Sequence, residues 1–335
     1  HRSAPTHRRA RTRQGAHLRD EQERSADEEQ AAPAKRTQSG TPADGLTGAY
    51  KEHTDLAAHG RFIPTALATP LEAKPLSQWE TRPRILVTND DGIESRGLLA
   101  LKQALEPVGD VYVMAPATNQ SAVGHSMTFM RPLRVRERKL DDGSTGWSVD
   151  GSPTDAVSVA FLGYFGISFD LVASGINYGS NLGDDITYSG TVGAAMEAVL
   201  SGCPAFAMSQ AWSDEPDFGL AGEVAAMVAR NVLEHGLGEG ELLNVNTPAE
   251  AADDPARVEL TRMGKRIYQD KLLERLDPRG VPYYWFGGPP PTGVSEPGTD
   301  FHAFSTGAVA ITPILLVLTA KRLLERIHDW VWALD

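Results

Sequence analysis

Two adjacent carboxylates, Asp90 and Asp91, follow a short apolar run and precede a glycine. The run Ile85-Leu86-Val87 is rich in β-branched residues and too short for a helix, which predicts a buried parallel strand. In open α/β sheets, ligands bind at the carboxyl ends of such strands. Neighbouring carboxylates repel one another, so a divalent cation between them would stabilise the pair. An Asp-Asp-Gly surface turn without a ligand is the alternative at this point.

Polar side chains also follow two later predicted strands. The strand predicted at 111–116 leads into a loop with Ser121, and the strand at 170–177 ends in Asn177. Because the carboxyl ends of parallel strands meet at one edge, we expect Ser121 and Asn177 to lie beside the two aspartates. All four side chains offer oxygen and none offers thiolate or imidazole. This ligand set suits Mg²⁺, Mn²⁺ or Ca²⁺ better than Zn²⁺ or Cu²⁺.

A glycine-rich stretch, Ser189-Gly190-Thr191, opens a predicted helix, with Ser189 or Thr191 as its cap. The start of a helix presents free N–H groups and the positive end of the helix dipole, which favour phosphate. A metal site together with an anion site indicates phosphate ester chemistry.

Several other catalytic motifs are missing. The sequence has no G-x-x-x-x-G-K-[ST] loop, and no G-x-G-x-x-G follows a predicted strand, which argues against P-loop and dinucleotide-binding proteins. The segment Gly124-His125-Ser126-Met127-Thr128 resembles the G-x-S-x-G motif of the nucleophile elbow but ends in threonine instead of glycine. It also does not lie between a strand and a helix. We therefore interpret His125 as a loop or packing residue rather than a catalytic base.

The elements that must position these side chains alternate between strand and helix. This order predicts an α/β fold, in which helices cover a mostly parallel sheet. The predicted strands are 85–88, 111–116, 170–177, 204–209, 242–246 and 309–312. The predicted helices are 97–105, one capped by Ser152 or Thr154, one that opens at Ser189, 220–235 and 313–335. A hairpin is predicted at 131–150 around Asp141-Asp142-Gly143, and an extended arm rich in Gly, Pro and aromatic residues at 262–300.

The composition restricts the class of protein. The 335 residues are 41% hydrophobic and carry a net charge of −12, which argues against a broad nucleic-acid-binding face. No apolar run is long enough to span a bilayer, so no membrane partner is expected. Cys203 is the single cysteine, so the chain forms no internal disulfide and no cysteine-rich zinc site. Reducing surroundings, and hence the cytoplasm, fit best.

Residues 1–81 differ from the rest of the chain. They are rich in charge and lack apolar periodicity until roughly Leu56. Such a composition buries too little surface to offset chain entropy, so we expect a disordered or poorly ordered extension before a domain at 82–335. A basic tail that touches a partner is the alternative, and residues 61–79 could pack on the domain as an arm.

Six motifs together resemble the SurE family of 5′/3′-nucleotidases, over residues 84 to about 330 and in the family's order. They are Asn89-Asp90-Asp91-Gly92, Ala115-Pro116 with Asn119-Gln120-Ser121, Gly151-Ser152-Pro153-Thr154-Asp155, Ser174-Gly175-Ile176-Asn177, Tyr188-Ser189-Gly190-Thr191-Val192 and Pro297-Gly298-Thr299-Asp300-Phe301. Two departures, Ala122 where glycine is frequent and Ser152 where threonine is frequent, remove no ligand.

The resemblance implies a Rossmann-like three-layer sandwich with a protruding hairpin arm and a C-terminal helix, exchanged between subunits of a homodimer or homotetramer. It implies a phosphatase that needs one divalent metal ion per subunit, most readily Mg²⁺ or Mn²⁺, and that acts on nucleoside monophosphates and often on short polyphosphate. The metal ligands would be Asp90, Asp91, Ser121 and Asn177, with the two aspartates central to catalysis.

Asn89, Asn181, Ser189, Gly190 and Thr191 are the residues expected to bind phosphate or substrate. The residues leave open whether Asp90 or Asp91 holds the metal only or attacks phosphorus directly. Two further readings stay open: a catalytically silent protein that binds nucleotide or metal on the same fold, and, more weakly, a carbohydrate or lipid esterase.

Overall fold

The computed structural model describes residues 77, 79–253, 256–267, 271–287, 292–330 and 332. The chain divides into two units, His1–Phe62 and Ile63–Asp335, and every described residue belongs to the second. The predicted N-terminal extension therefore lies almost entirely outside the described residues. Trp79, just before the first strand, is half-buried against the hydrophobic core.

Thirteen strands are described in these parts of the chain. They are β1 Arg84–Thr88, β2 Asp110–Pro116, β3 Val135–Lys139, β4 Thr145–Val149, β5 Leu171–Tyr178, β6 Ala205–Gln210, β7 Glu241–Thr247, β8 Val258–Leu260, β9 Arg266–Ile267, β10 Lys271–Leu276, β11 Pro282–Gly287, β12 Thr292–Gly293 and β13 Val309–Leu315. Nine of them form one sheet in the order β3-β4-β2-β1-β5-β6-β7-β13-β8. The six strands from β4 to β7 in that order run parallel, whereas β3 and β13 pair antiparallel with β4 and β7.

The sheet has helices on both of its faces, and the described residues contain six α-helices in all. They are α1 Arg96–Leu105, α2 Pro153–Val159, α3 Gly190–Leu200, α4 Gly219–His235, α5 Asp300–Ser305 and α6 Lys321–Ile327. Alternate residues of β1 face opposite sides: Ile85 and Val87 pack with α1 and α4, and Leu86 packs with α2 and α3. The three-layer α/β arrangement predicted from the sequence is confirmed. No described helix is both long and apolar enough to cross a bilayer.

The predicted arm contains a separate two-stranded hairpin. β10 and β11 pair only with each other, with Lys271 opposite Gly287 and Leu276 opposite Pro282. Every residue of β10 is exposed. The hairpin thus carries its apolar side chains away from the hydrophobic core of the domain.

The C-terminal helix predicted at 313–335 is wrong over its first part. β13 continues through Leu315, and the helix α6 covers only Lys321–Ile327. Ile314 is buried in the core and pairs with Leu242 of β7. The leucine-rich sequence favours a helix locally, but the edge of β7 provides hydrogen bonds and burial that outweigh this propensity.

Candidate functional site

The carboxyl ends of β2, β1 and β5 are neighbours, because β1 lies between the other two strands. The backbone N–H of Gln120, in the segment after β2, donates to the carbonyl oxygen of Asp90 at 2.7 Å. The backbone N–H of Tyr178, at the end of β5, donates to Oδ2 of Asp91 at 3.2 Å. The structure therefore brings both predicted polar segments to the paired aspartates.

Asn89 fixes the turn that presents the carboxylates. Its Oδ1 accepts from the N–H of Gly92 at 3.2 Å, and its Nδ2 donates to the Gly92 carbonyl at 3.1 Å. Gly92 has φ +103°, and a Cβ there would lie 3.1 Å from the backbone of Thr118, so glycine is required. Asn89 is fully buried, and both ends of its amide serve this turn.

Asp90 is buried, with 4% of its surface exposed. Its Oδ1 accepts a hydrogen bond from the hydroxyl of Thr191. Burial raises the pKa of Asp90, although hydrogen bonds from the Thr191 hydroxyl and from the backbone of Thr191 and Gly190 act in the opposite direction. A Cβ on Gly190 would lie 2.8 Å from Cβ of Asp90, so the missing side chain lets the start of α3 approach the carboxylate.

Asp91 is less buried and carries the second charge. Burial, and then the charge of Asp90, raise the pKa of Asp91 to about 6. Its oxygens accept from the Nδ2 of Asn119 at 3.2 Å and from the backbone of Tyr178. Among the described residues no cationic side chain forms an ion pair with either aspartate. The two charges therefore lack a compensating positive group from these residues.

Asn119 links Asp91 to Ser121, a role that the sequence reasoning missed. Its Nδ2 donates to Asp91, while its Oδ1 accepts from the backbone N–H of Ser121 at 2.9 Å and from the Ser121 hydroxyl at 2.7 Å. The signal available in the sequence was the Asn-x-Ser spacing, because an Asn side chain readily accepts from the backbone two residues on.

Asn177 has one end of its amide engaged. Its Nδ2 donates to the carbonyl of Gly179 at 2.7 Å. Oδ1 accepts no hydrogen bond from the described residues and is the end that can act as an oxygen ligand. Gly179 has φ +127°, so the turn that receives this hydrogen bond also favours glycine.

The residues fit a hard divalent cation. Two carboxylates without a compensating charge, one hydroxyl and one amide oxygen are the donors that Mg²⁺, Mn²⁺ and Ca²⁺ prefer. In the described part of the chain no group of three or more His, Cys, Asp or Glu side chains is placed to hold a metal. A metal at this edge would thus depend on Ser121 and Asn177, or on water, in addition to Asp90 and Asp91.

Comparisons with known proteins agree on one family. The model of the survival protein SurE matches residues 85–270. The 5′-nucleotidase SurE of Herpetosiphon aurantiacus is 47% identical over 250 residues, which cover 74% of this chain and 98% of that protein. The chain belongs to the SurE family. The 5′-nucleotidase SurE of Chloroflexus aggregans is 44% identical over 74% of this chain and 99% of its own length.

A solved structure of a SurE protein supports the same assignment. The SurE protein from Aquifex aeolicus superposes with a TM-score of 0.62 at 39% identity and covers 73% of this chain and 98% of its own. The resemblance to the SurE family drawn from the six motifs is therefore confirmed.

The start of α3 in this SurE chain is directed at Asp90. The hydroxyl of Ser189 accepts from the N–H of Val192 at 3.1 Å and caps the helix, as the sequence predicted. The hydroxyl of Thr191 donates to Asp90. Both hydroxyls are thus engaged within the protein, and the anion nearest the helix start is the Asp90 carboxylate. A phosphate bound beside Asp90 would meet the same positive end of the helix.

Asn181 lies in a buried cluster of amides. Its N–H donates to Oδ1 of Asn246 at 2.8 Å, and its Nδ2 donates to the hydroxyl of Ser209 at 2.8 Å. Its carbonyl accepts from Asn244 and Asn246 at 2.8 and 3.0 Å. Asn181 therefore connects the segment after β5 to β6 and β7 by hydrogen bonds in this SurE chain. The strand 242–246 was predicted, but not this cluster.

His125 joins the loop after β2 to helix α3. Its Nε2 lies 2.9 Å from Oε2 of Glu197, and the Ser158 hydroxyl donates to Oε1 of Glu197 at 2.7 Å. The hydrogen bond with His125 is the main reason that the pKa of Glu197 is lowered. A Cβ on Gly193 would lie 2.8 Å from the Gly124 carbonyl, so the loop and the helix are in close contact. This geometry matches the interpretation of His125 as a loop residue.

Proposed function

We propose that this SurE-family chain is a metal-dependent phosphomonoesterase that hydrolyses nucleoside 5′-monophosphates, and also 3′-monophosphates, to nucleoside and phosphate. Two relatives that are 44–47% identical over almost their whole length carry the name 5′-nucleotidase, which supports a nucleotide as the substrate. The observation that carries the proposal is the pair of strand-end carboxylates without a compensating cation, held among further oxygen donors.

Each residue of the site has a proposed task. Asp90 and Asp91 hold a divalent cation, with Ser121 and Asn177 as the remaining protein ligands. When bound, the cation polarises the phosphoryl oxygens and lowers the pKa of water. Thr191 orients Asp90 through its hydroxyl. Asn119 fixes the positions of Asp91 and Ser121 relative to each other, because its amide bonds to both.

Substrate phosphate, in this proposal, would bind at the start of α3 beside Asp90. The helix dipole places partial positive charge at Gly190 and Thr191, which favours an anion there. Ser189 supports this helix start as its cap, Asn89 supports the carboxylate turn, and Asn181 supports the segment after β5. These three act through the backbone that they hold.

The cation is proposed to be Mg²⁺ or Mn²⁺, one per subunit, because the four donors are oxygens and leave room for water. A cytoplasmic location is proposed from cysteine usage: Cys203 is buried, free and the only cysteine of the sequence. A homodimer or homotetramer is proposed from the exposed apolar hairpin β10–β11.

The catalytically silent alternative has no support from these residues. A protein that only binds nucleotide or metal could lose a ligand without loss of function, yet Asp90, Asp91, Ser121 and Asn177 are all present. The esterase alternative lacks a nucleophile elbow.

Phosphate release from a panel of phosphomonoesters tests the proposal. The full chain is assayed with 5′-AMP, 3′-AMP, 5′-GMP and ribose 5-phosphate, each with Mg²⁺, Mn²⁺, Ca²⁺ or EDTA. We expect release from the nucleotides with Mg²⁺ or Mn²⁺ and none with EDTA. Equal release in EDTA would overturn the metal requirement, and release from no nucleotide with any metal would overturn the nucleotidase.

A further inference from the structure

An aromatic pair lies directly beside the site. The backbone N–H of Tyr178 donates to Oδ2 of Asp91 at 3.2 Å. The ring of Tyr178 packs against the ring of Trp212 in a tilted arrangement, with centroids 4.1 Å apart and an interplanar angle of 31°. Trp212 follows β6, which neighbours β5, so the indole lies at the same edge of the sheet as the carboxylates.

Trp212 is exposed although one of its faces is covered. Its exposed fraction is 68%, and Tyr178 covers one face, so the opposite face of the indole is open to solvent. Trp212 is part of none of the hydrophobic clusters of the described residues. A tryptophan that served only to fill the core would be buried, because its large apolar surface is the main gain of such packing.

The segment around Trp212 is held in place by hydrogen bonds. The N–H of Ala211 donates to the Thr247 carbonyl at 2.9 Å, and the N–H of Ser213 donates to the hydroxyl of Tyr178 at 3.2 Å. Phe218 also packs edge-on against Tyr178, with ring centroids 6.3 Å apart. The open indole face is therefore preorganised, which lowers the entropy lost when a ligand binds to it.

We propose that the open face of Trp212 is the stacking platform for the nucleobase of the substrate. This inference rests on the proposed function and names a base-binding subsite beside the phosphate site. In a nucleoside monophosphate one ribose separates the base from the phosphate. Tyr178 contacts both proposed subsites, since its backbone donates to Asp91 and its ring contacts the indole of Trp212. Every base has a π-face, so stacking favours nucleotides over base-free phosphates without selecting one base.

The test compares substrates with and without a base. The ratio of kcat/KM for 5′-AMP to kcat/KM for ribose 5-phosphate is measured for the wild type, Trp212→Ala, Trp212→Phe and Tyr164→Ala. Stacking on one aromatic side chain corresponds to about a tenfold to hundredfold change in binding. We expect Trp212→Ala to lower the ratio by at least tenfold, mainly through KM for AMP, and Trp212→Phe to recover much of it.

Tyr164→Ala is the matched control. Tyr164 is also half-exposed and packs edge-on against one aromatic ring, that of Phe165, but it follows α2, shortly before β5 begins, and so lies near the opposite edge of the sheet. This variant should keep the wild-type ratio. An unchanged ratio in Trp212→Ala, or equal losses on both substrates, would overturn the stacking platform, since equal losses indicate a role in loop structure alone.

A second readout does not require turnover. Stacking of adenine on Trp212 should quench tryptophan emission when 5′-AMP is titrated into the full chain, whereas ribose 5-phosphate should not quench it. Trp212→Phe should lose this part of the quenching. Failure of the wild type to release phosphate would contradict the proposed function only. Absent quenching, or quenching that Trp212→Phe leaves unchanged, would contradict the platform.

Discussion

At the scale of single residues, Asp90 and Asp91 are supported by neighbours that do not themselves resemble catalytic groups. The Thr191 hydroxyl donates to Asp90, and Gly190 lets the start of α3 approach that carboxylate. Asn119, in the loop after β2, donates to Asp91. Side chains that orient metal ligands commonly matter almost as much as the ligands. Asn119 is the clearest example here, because it contacts two proposed ligands at once.

We expect Asn119→Ala to lower metal affinity and turnover by about tenfold to a hundredfold. The variant removes the donor to Asp91 and the acceptor for Ser121 while it keeps the loop backbone. Gln120→Ala is the control, because the Gln120 contact to Asp90 comes from the backbone and survives the substitution. Mn²⁺ titration by calorimetry, with AMP hydrolysis alongside, measures both effects. Equal affinities in the two variants would argue against the linking role.

At the scale of elements, short sequence patterns predicted most of the strands and helices that position the site. The apolar run before Asp90 gave β1 within one residue, and the Ser189 cap gave the start of α3. Both signals lie within a few consecutive residues. The antiparallel extension of β13 was not predictable, because it depends on an edge of β7 that is distant in sequence.

Side-chain hydrogen bonds between different elements could not be predicted from the sequence either. Thr191 was predicted to bind phosphate, and that prediction stays open; its hydroxyl donates to Asp90, 101 residues earlier in the chain, a contact that was not predicted. The amide cluster of Asn181, Asn244 and Asn246 joins the segment after β5 to β7 in the same way. A sequence shows which residues can donate or accept, but the partner is set by the folded arrangement of the sheet.

The link between α1 and the hairpin β3–β4 is expected to contribute to stability. The side chain of Lys102, with 6% exposed, donates to Asp142 at 2.7 Å and to Glu106 at 2.6 Å. Asp142→Asn should lower the free energy of unfolding by about 1–3 kcal/mol, less than the full cost of breaking a buried pair, because Glu106 remains. Urea unfolding measures this change, with the adjacent exposed Asp141→Asn as the control.

The effect of Asp142→Asn should depend on pH. The hydrogen bond from Lys102 is the main reason that the pKa of Asp142 is lowered. A lowered pKa in the folded state contributes stability above the unfolded value, about 4 for Asp, and this contribution is lost as the pH falls below it. The difference between wild type and variant should therefore shrink at pH 3. A difference that is constant from pH 7 to pH 3 would contradict the ion pair as its source.

At the scale of the whole molecule, the hairpin β10–β11 leaves a large apolar surface uncovered. Its exposed apolar side chains are Leu272, Leu273, Leu276, Tyr283, Tyr284, Trp285 and Phe286. An isolated two-stranded hairpin is marginally stable in water, and α6, a further short element near the C terminus, buries none of its residues either. Burial against a second copy of the chain would stabilise both elements.

The chain is therefore expected to form a stable dimer or tetramer. Light scattering at micromolar concentration should give a multiple of the monomer mass for the wild type. Phe286→Ser, which places a polar residue at the most exposed aromatic of the hairpin, should shift the species towards the monomer. Leu200→Ser, at another exposed apolar position, on α3, should not; its exposed fraction is 65%, against 89% for Phe286. A stable, active wild-type monomer would refute the oligomer.

Removal of residues 1–76 should leave activity and melting temperature nearly unchanged. The prediction rests on the charge-rich, aperiodic sequence of this part, and the deletion stops before Trp79, which packs on the core. Differential scanning calorimetry of the truncated and full chains measures the change. A decrease of more than about 5 °C, which corresponds to a kcal/mol or more for a domain of this size, would show that these residues contribute to the folded structure.

The central claim is that Asp90 and Asp91 hold a divalent cation for nucleotide hydrolysis, and Asp91→Asn tests it most directly. Phosphate release from 5′-AMP with Mn²⁺ is compared for the wild type, Asp91→Asn and Glu94→Gln, an exposed neighbour that loses the same charge. The Mn²⁺-induced rise in melting temperature, which reports binding to the folded state, is measured alongside.

We expect Asp91→Asn to remain folded and to lose the Mn²⁺-induced stabilisation. Its turnover should fall by at least about a hundredfold, because even the partners of metal ligands contribute about tenfold to a hundredfold. Glu94→Gln should match the wild type in both measurements. Near-wild-type phosphate release by a folded Asp91→Asn protein would contradict the claim.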